Sequence, residues 1–198
     1  MKKIMFNDKY GLTDAVLNGK KTLTRRIIKP QPSWVSGDGR VFNDSKPPMY
    51  KVGEIVAVAQ AYKHIVDNNY FQEQCLVNET DAVLTRFDAG WDNKMFVKSY
   101  YMPHHILITD IKVERLQDIS EEDVYKEAFT KEFVNNGWGN AAYHEETILV
   151  YYDKKGMTKT ISSRNPKEAF SSLIDKLCGV GTWESNPCVF VYSFKLID

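Results

Sequence analysis

The sequence predicts a single α+β domain. Segments that read as strands outnumber those that read as helices, and the helices are scattered among the strands. No Pro-, Gly- or Ser-rich linker is long enough to divide the chain in two. The 198 residues are 43% hydrophobic and 26% charged. A chain of this length buries roughly 70% of its unfolded surface, so it needs neither disulfide nor metal to fold.

The elements follow in order. A first helix is expected over about residues 8–18, where Leu12, Ala15 and Val16 share a face and Gly19 supplies the stop. Residues 30–49 carry four prolines and form an irregular excursion. Glu54–Tyr62 is nearly continuous in apolar residues and reads as a buried strand. Tyr70–Val77, Ala82–Arg86 and Lys94–Tyr101 are weaker strands, and His105–Arg115 is a long one. Ser120 and Asp123 have capping spacing, with Ile119 and Val124 as the hydrophobic staple, so a second helix should run to about Phe129 or a turn beyond. Asn135-Asn136-Gly137 and Gly139-Asn140 make 130–146 a loop. Thr147–Tyr152 and Met157–Ile161 read as a hairpin about Asp153-Lys154-Lys155-Gly156. A third helix starts at Asn165-Pro166 with Glu168 completing the cap. Its stripe is Ala169, Phe170, Leu173, Ile174 and Leu177, and it stops at Gly179. Cys188–Ile197 is the last strand, with Val189, Val191 and Ser193 on one face.

Several functional classes recede at once. No run approaches the roughly 18 apolar residues of a membrane span. The basic N-terminus is interrupted by Asp8 and Lys9 before any apolar region forms, so export is not expected. Cys75, Cys178 and Cys188 contain no C-x-x-C pair, which fits a reduced, cytoplasmic protein. His104 and His105 are adjacent and point to opposite faces, a poor chelating pair, so no metal and no cofactor are expected. Lys and Arg balance Asp and Glu at 26 each, so net charge does not argue for nucleic acid.

Local charge does. Residues 19–29, Gly-Lys-Lys-Thr-Leu-Thr-Arg-Arg-Ile-Ile-Lys, hold five cations and no acid. Cations so close repel, and an anionic ligand such as phosphate is one compensation. The other is pairing of Arg25 and Arg26 with acids from elsewhere in the fold. If the segment is extended, Thr22 and Thr24 share one face while Lys21, Leu23 and Arg25 share the other; in a turn, Lys21 and Thr24 can meet. A desolvated lysine beside a hydroxyl is a base–nucleophile pair. Glu127 borders the apolar arc of the second helix, where it either reaches a cleft or pairs locally with Lys131.

Gly19-Lys20-Lys21-Thr22-Leu23-Thr24-Arg25-Arg26 after a short helix resembles the G-x-K-T-x-T-x-R signature of the ASCH-domain family, whose fold is related to the PUA domain. The resemblance continues in Tyr50–Val58, in Ile108–Asp123, in Trp183–Pro187 and in the strand through Val189–Phe194. Ile28-Lys29-Pro30-Gln31-Pro32 and Met102-Pro103 are similar to its phage- and prophage-associated branch.

The resemblance implies one domain over 1–198, an incomplete PUA-like β-barrel with flanking helices, and insertions at about 63–94 and 130–164. It also implies a cleft for RNA or a nucleoside or nucleotide. Small bacterial members are N4-acetylcytidine amidohydrolases, and by position Lys21 would be the base, Thr24 the nucleophile and Glu127 the proton donor. Lys20, Thr22, Arg25 and Arg26 are the candidate ligand contacts from the motif, Tyr50 is a candidate stacking ring and His104 a candidate cleft-wall contact. Tyr62, Trp91, Tyr100, Tyr101 and Trp34 are further stacking candidates. Three readings stay open: an amidohydrolase acting on a modified nucleoside, a non-catalytic RNA-binding module, and a phage-derived regulatory or structural protein.

Overall fold

The computed structural model describes residues 1–35, 41–42, 46–66, 89–135, 143–152 and 156–198. The chain is mixed α+β, as expected. Its main sheet has five strands: β1 (Lys3–Ile4), β2 (Leu23–Ile27), β5 (Ile55–Val58), β6 (His105–Arg115) and β10 (Cys188–Leu196). Their order is β1-β5-β6-β10-β2. β1 runs parallel to β5, and the other pairs are antiparallel. β3 (Trp34–Val35) and β4 (Val41–Phe42) form a small ribbon. β7 (Thr130–Asn135), β8 (Tyr143–Tyr152) and β9 (Thr158–Ser163) form a three-stranded antiparallel sheet. Among the described residues the main sheet does not close: β1 and β2 remain its two edges.

Among the described residues, five α-helices accompany the sheets: α1 (Leu12–Leu17), α2 (Tyr62–Val66), α3 (Glu121–Lys126), α4 (Pro166–Cys178) and α5 (Thr182–Ser185). α4 starts as its sequence dictates. The Asn165 side chain accepts from the Lys167 N–H, Pro166 occupies the first turn and Gly179 follows the last residue. Its stripe of Ala169, Phe170, Leu173 and Ile174 is buried in the main core, which also holds Val189, Val191, Ile106 and Ile108 of the main sheet. Glu168 does not cap by a backbone bond; its carboxylate accepts from Ser163 Oγ at 2.8 Å. A smaller core gathers Ala57, Ala59, Tyr62, Ile65, Val97 and Met102, with Trp91 and Tyr101 packed on it. Gly90 belongs there because a Cβ would stand 2.4 Å from the Tyr62 ring.

Several expectations are corrected. The first helix is broken at Gly11 (φ +64) into a 3₁₀ turn, Asp8–Tyr10, and α1. The strand from Glu54 covers only Ile55–Val58, and Tyr62 opens α2. Lys94–Tyr101 is not a strand. The Lys3 ammonium takes the carbonyls of Lys94, Met95 and Val97 at 3.0, 2.7 and 2.7 Å, and Ser99–Tyr101 closes as a 3₁₀ turn. The Ser120 helix stops at Lys126, because Glu127 pairs in a β-bridge with Lys21 and Ala128 turns to φ 91. Residues 130–135 then form β7 rather than a loop, so this region builds a sheet. The expected strands Tyr70–Val77 and Ala82–Arg86, residues 153–155 of the hairpin turn and residues 136–142 lie outside the described residues. Among the described residues, no helix is long and apolar enough to cross a membrane.

Candidate functional site

Gly19 (φ +68) turns the chain out of α1, and Lys21 N–H is held by the Ala15 carbonyl at 2.9 Å. The next residues lie between two neighbours. Thr22 N–H donates to the Lys126 carbonyl at 3.0 Å, and the Thr22 carbonyl accepts from Phe194 N–H at 2.9 Å. The motif is thus pinned between the end of α3 and the sheet. The Lys21–Glu127 bridge places both side chains in the interior, at 2% and 4% exposure. There the Lys21 ammonium donates to Glu127 Oε2.

Arg25 is the centre of a larger ion cluster. Its side chain is only 1% exposed. Nε and Nη2 donate to Glu114 Oε1 at 2.9 and 2.7 Å, Nη2 also to Asp123 Oδ2 at 3.0 Å, and Nη1 to Glu127 Oε1 at 3.2 Å. Register accounts for this. Val191 of β10 faces Arg25 on one side and Lys112 on the other, so Arg25, Lys112 and Glu114 share one face of the sheet. Lys112 reaches Glu114 at 2.9 Å and Asp123 at 3.4 Å. Glu127 therefore receives bonds from two cations, Lys21 and Arg25, and the second of these is anchored on two further carboxylates.

Burial pushes the Lys21 ammonium below its ordinary 10.5, more strongly than the Glu127 charge and hydrogen bond raise it; Arg26 and Arg25 lower it further. For Asp123, burial acts upward, but the Arg25 hydrogen bond and the charges of Lys112 and Arg25 outweigh it and hold the carboxyl below 3.8.

These groups open on a cleft of about 860 Å³. Lys21, Thr24 and Glu127 line it together. Phe6, Leu12, Phe170, Leu173, Ile174 and Leu177 supply apolar wall, the last four from the stripe of α4. Lys9, Arg26, Lys29 and Lys94 contribute cations, with Asp8 the acid beside them. Lys94 is held by the Phe6 carbonyl and Asp8, each at 2.6 Å. Arg26 donates to the Met5 carbonyl and lies over the Phe6 ring. Among the described residues, no side chain bonds the Thr24 hydroxyl, and Lys29 has no ion-pair partner.

The sequence candidates divide accordingly. Lys21, Thr24, Glu127, Arg25 and Arg26 come together. Arg25 is a structural cation spent on three carboxylates rather than a free phosphate contact. The local Glu127–Lys131 pair is replaced, since Lys131 binds Glu145 at 2.8 Å. Lys20 is exposed and Thr22 half-buried, and neither lines the cleft. Tyr50 is buried on a different hollow. His104 precedes β6 at the end opposite Lys112 and Glu114, 3.4 Å from the Asp198 carbonyl, and does not line the cleft. Tyr62, Trp91 and Tyr101 belong to the smaller core. Among the described residues, no three His, Cys, Asp or Glu side chains are grouped to hold a metal ion.

The sequence did not single out Glu114, Asp123 or Lys94 for the site, nor the wall from Phe6, and it offered Lys29 only as one of the five cations of residues 19–29. Asp123 carried a signal, standing four residues before Glu127. Glu114 did not, because only the sheet register brings it to Arg25. Compared with known proteins, the chain matches no family model, no curated protein and no solved structure.

Proposed function

We propose that the cleft binds a modified nucleoside or nucleotide and hydrolyses an amide on its base, with N4-acetylcytidine as the test substrate, on an ASCH-like scaffold of the PUA type. The observation that carries this reading is the convergence of Lys21, Thr24 and Glu127 on one cleft, with Lys21 and Glu127 buried and bonded to each other. Burial favours the neutral amine of Lys21, the form that accepts a proton. In the proposed reaction Lys21 takes the Thr24 proton as the hydroxyl oxygen attacks the amide carbonyl. The C–N bond breaks, and the proton passes through Glu127 to the leaving nitrogen. Water then cleaves the acyl-threonine ester, releasing the carboxylic acid and restoring the hydroxyl. Arg25 holds Glu127 in place, and Arg26 and Lys29 offer charge to a phosphate on the ligand.

Purified wild type and Thr24→Ala are incubated with N4-acetylcytidine and the nucleosides separated by chromatography. The expected result is cytidine from the wild type only. A folded wild-type protein that releases no cytidine contradicts the reading.

The cations lining the cleft, Lys9, Arg26 and Lys29 among them, also favour a second reading, a binding module without chemistry. In that case Arg26→Ala weakens nucleotide binding, affinity falls steeply with salt, and Thr24→Ala changes nothing.

A further inference from the structure

The proposed reaction puts a negative charge on the amide oxygen. Attack by Thr24 Oγ forms a C–O bond and pushes the carbonyl electron pair onto that oxygen. The pair returns when the C–N bond breaks, and the charge forms again when water attacks the acyl-threonine ester. Lys21, Thr24 and Glu127 supply base, nucleophile and acid, which leaves the oxygen without a donor. In a cleft walled largely by apolar side chains an unmet oxyanion is costly, and a fixed N–H aimed at it removes that cost.

The sheet register supplies such a donor. In an antiparallel ladder, pairs that exchange backbone bonds alternate with pairs whose backbone groups point away. Phe194 N–H donates to the Thr22 carbonyl at 2.9 Å and Ile28 N–H to the Cys188 carbonyl at 3.1 Å. Thr24 with Tyr192 and Arg26 with Phe190 are therefore the bonded pairs between them. The other side of β10 agrees. Leu116 N–H donates to the Pro187 carbonyl at 3.0 Å, so Val189, Val191 and Ser193 turn their backbone groups to β6. Arg25, opposite Val191, consequently turns its N–H away from β10. β2 is an edge of the main sheet, and among the described residues the Arg25 N–H has no acceptor.

Exposure points the same way. The Arg25 side chain is 1% exposed, while the whole residue is 9% exposed. Its accessible surface therefore belongs mostly to the main chain. Arg25 lines the cleft beside Thr24, and it does so with backbone, next in sequence to the attacking hydroxyl. That backbone is held firmly. Glu114, Asp123 and Glu127 fix the guanidinium, and Thr24 and Arg26 are bonded to β10 on either side. A donor that does not reorganise during the reaction is the effective kind.

We infer that the Arg25 backbone N–H is the oxyanion donor of the cleft, binding the carbonyl oxygen of the scissile amide as Thr24 attacks. This rests on the hydrolytic reading and adds to it a group that side-chain types do not disclose. The Ile27 N–H leaves the same edge roughly 7 Å further along the strand and is the internal control.

The experiment replaces one backbone N–H by oxygen. Cell-free translation inserts the α-hydroxy analogue of arginine at position 25, which keeps the guanidinium, and the α-hydroxy analogue of isoleucine at position 27 in parallel. Each ester weakens one carbonyl bonded to β10, so urea midpoints read any shared loss of stability. With N4-acetylcytidine, the ester at 25 should lower kcat about a hundredfold or more with little change in KM, and the ester at 27 should stay near the wild type. Equal rates for the two esters overturn the donor and keep the hydrolysis. No cytidine from the folded wild type refutes the hydrolysis and the donor with it. Amide NMR of the unmodified chain gives a second readout that needs no variant. The methylphosphonyl analogue of N4-acetylcytidine, whose P–O⁻ stands where the oxyanion forms, should move the Arg25 N–H downfield and leave that of Ile27 in place. An Arg25 signal that stays while those of Thr24 and Glu127 move overturns the assignment. No movement of any of the three contradicts the nucleoside reading of the cleft and removes the donor with it.

Discussion

Arg25 carries its charge almost wholly out of water, and Glu114, Asp123 and Glu127 surround it. Removing one partner from such a buried cluster strands the rest. Arg25→Met should therefore lower stability by roughly 3 kcal/mol or more, measured by urea unfolding. Arg25→Lys should recover part of the loss, since a lysine keeps the charge but not the fork that reaches several carboxylates. A variant as stable as the wild type would show that the cluster contributes little. Thr24→Ala acts differently. It removes a hydroxyl that, among the described residues, bonds no other side chain, so the fold should keep its midpoint while turnover falls by about a thousandfold or more, without a matching loss of ligand affinity. At this scale the segment was legible as a cationic run holding a lysine and two threonines, while the joint assignment of Lys21, Thr24 and Glu127 came only from the resemblance to the ASCH-domain family. The role of Arg25 was not, because its partners are 89 to 102 residues away in sequence and only the sheet register assembles them.

The elements that position the site are short, and their ends matter more than their lengths. α3 has six residues, opened by Ser120, whose hydroxyl accepts from Asp123 N–H at 3.1 Å. Ser120→Ala should cost about 1 kcal/mol by loss of the cap. It should also loosen the turn that carries Asp123 and Glu127, so that activity falls more than folded fraction alone accounts for; parallel assays of unfolding and turnover check this. Gly90→Ala tests the smaller core, where the new methyl collides with the Tyr62 ring and should cost roughly 1–3 kcal/mol in thermal or chemical unfolding. The legible elements were those whose own residues decide them: α4 with its cap, proline and stripe, and β6 with its long β-rich run. The end of α3 was illegible because the chain leaves the helix to pair with Lys21, a contact that local propensity cannot anticipate. Lys94–Tyr101 misled for a related reason, since its carbonyls bond a lysine side chain instead of a neighbouring strand.

Across the whole molecule, charge buried on folding makes stability depend on pH in two separate windows. Asp123 is held below its ordinary 3.8 in the fold. Its contribution is complete above that value and disappears as pH falls through the lower folded value. Lys21 is shifted below 10.5 in the fold. The unfolded chain then holds more protons between the lowered value and 10.5, so stability should rise with pH across that interval. Lys21→Met should flatten the alkaline rise, and a urea midpoint series against pH checks both slopes. The α+β class was legible from composition and element order, while the open five-stranded sheet depends on long-range pairing that no local pattern specifies. In the proposed reaction Thr24 attacks an acyl group inside the cleft. Rapid quenching of the wild type during turnover of N4-acetylcytidine, followed by peptide mapping, tests it most directly. One acetyl group is expected on Thr24 and none in Thr24→Ala, which should also release no cytidine. Cytidine released by Thr24→Ala at the wild-type rate, or an acetyl group carried on a different residue, would contradict it.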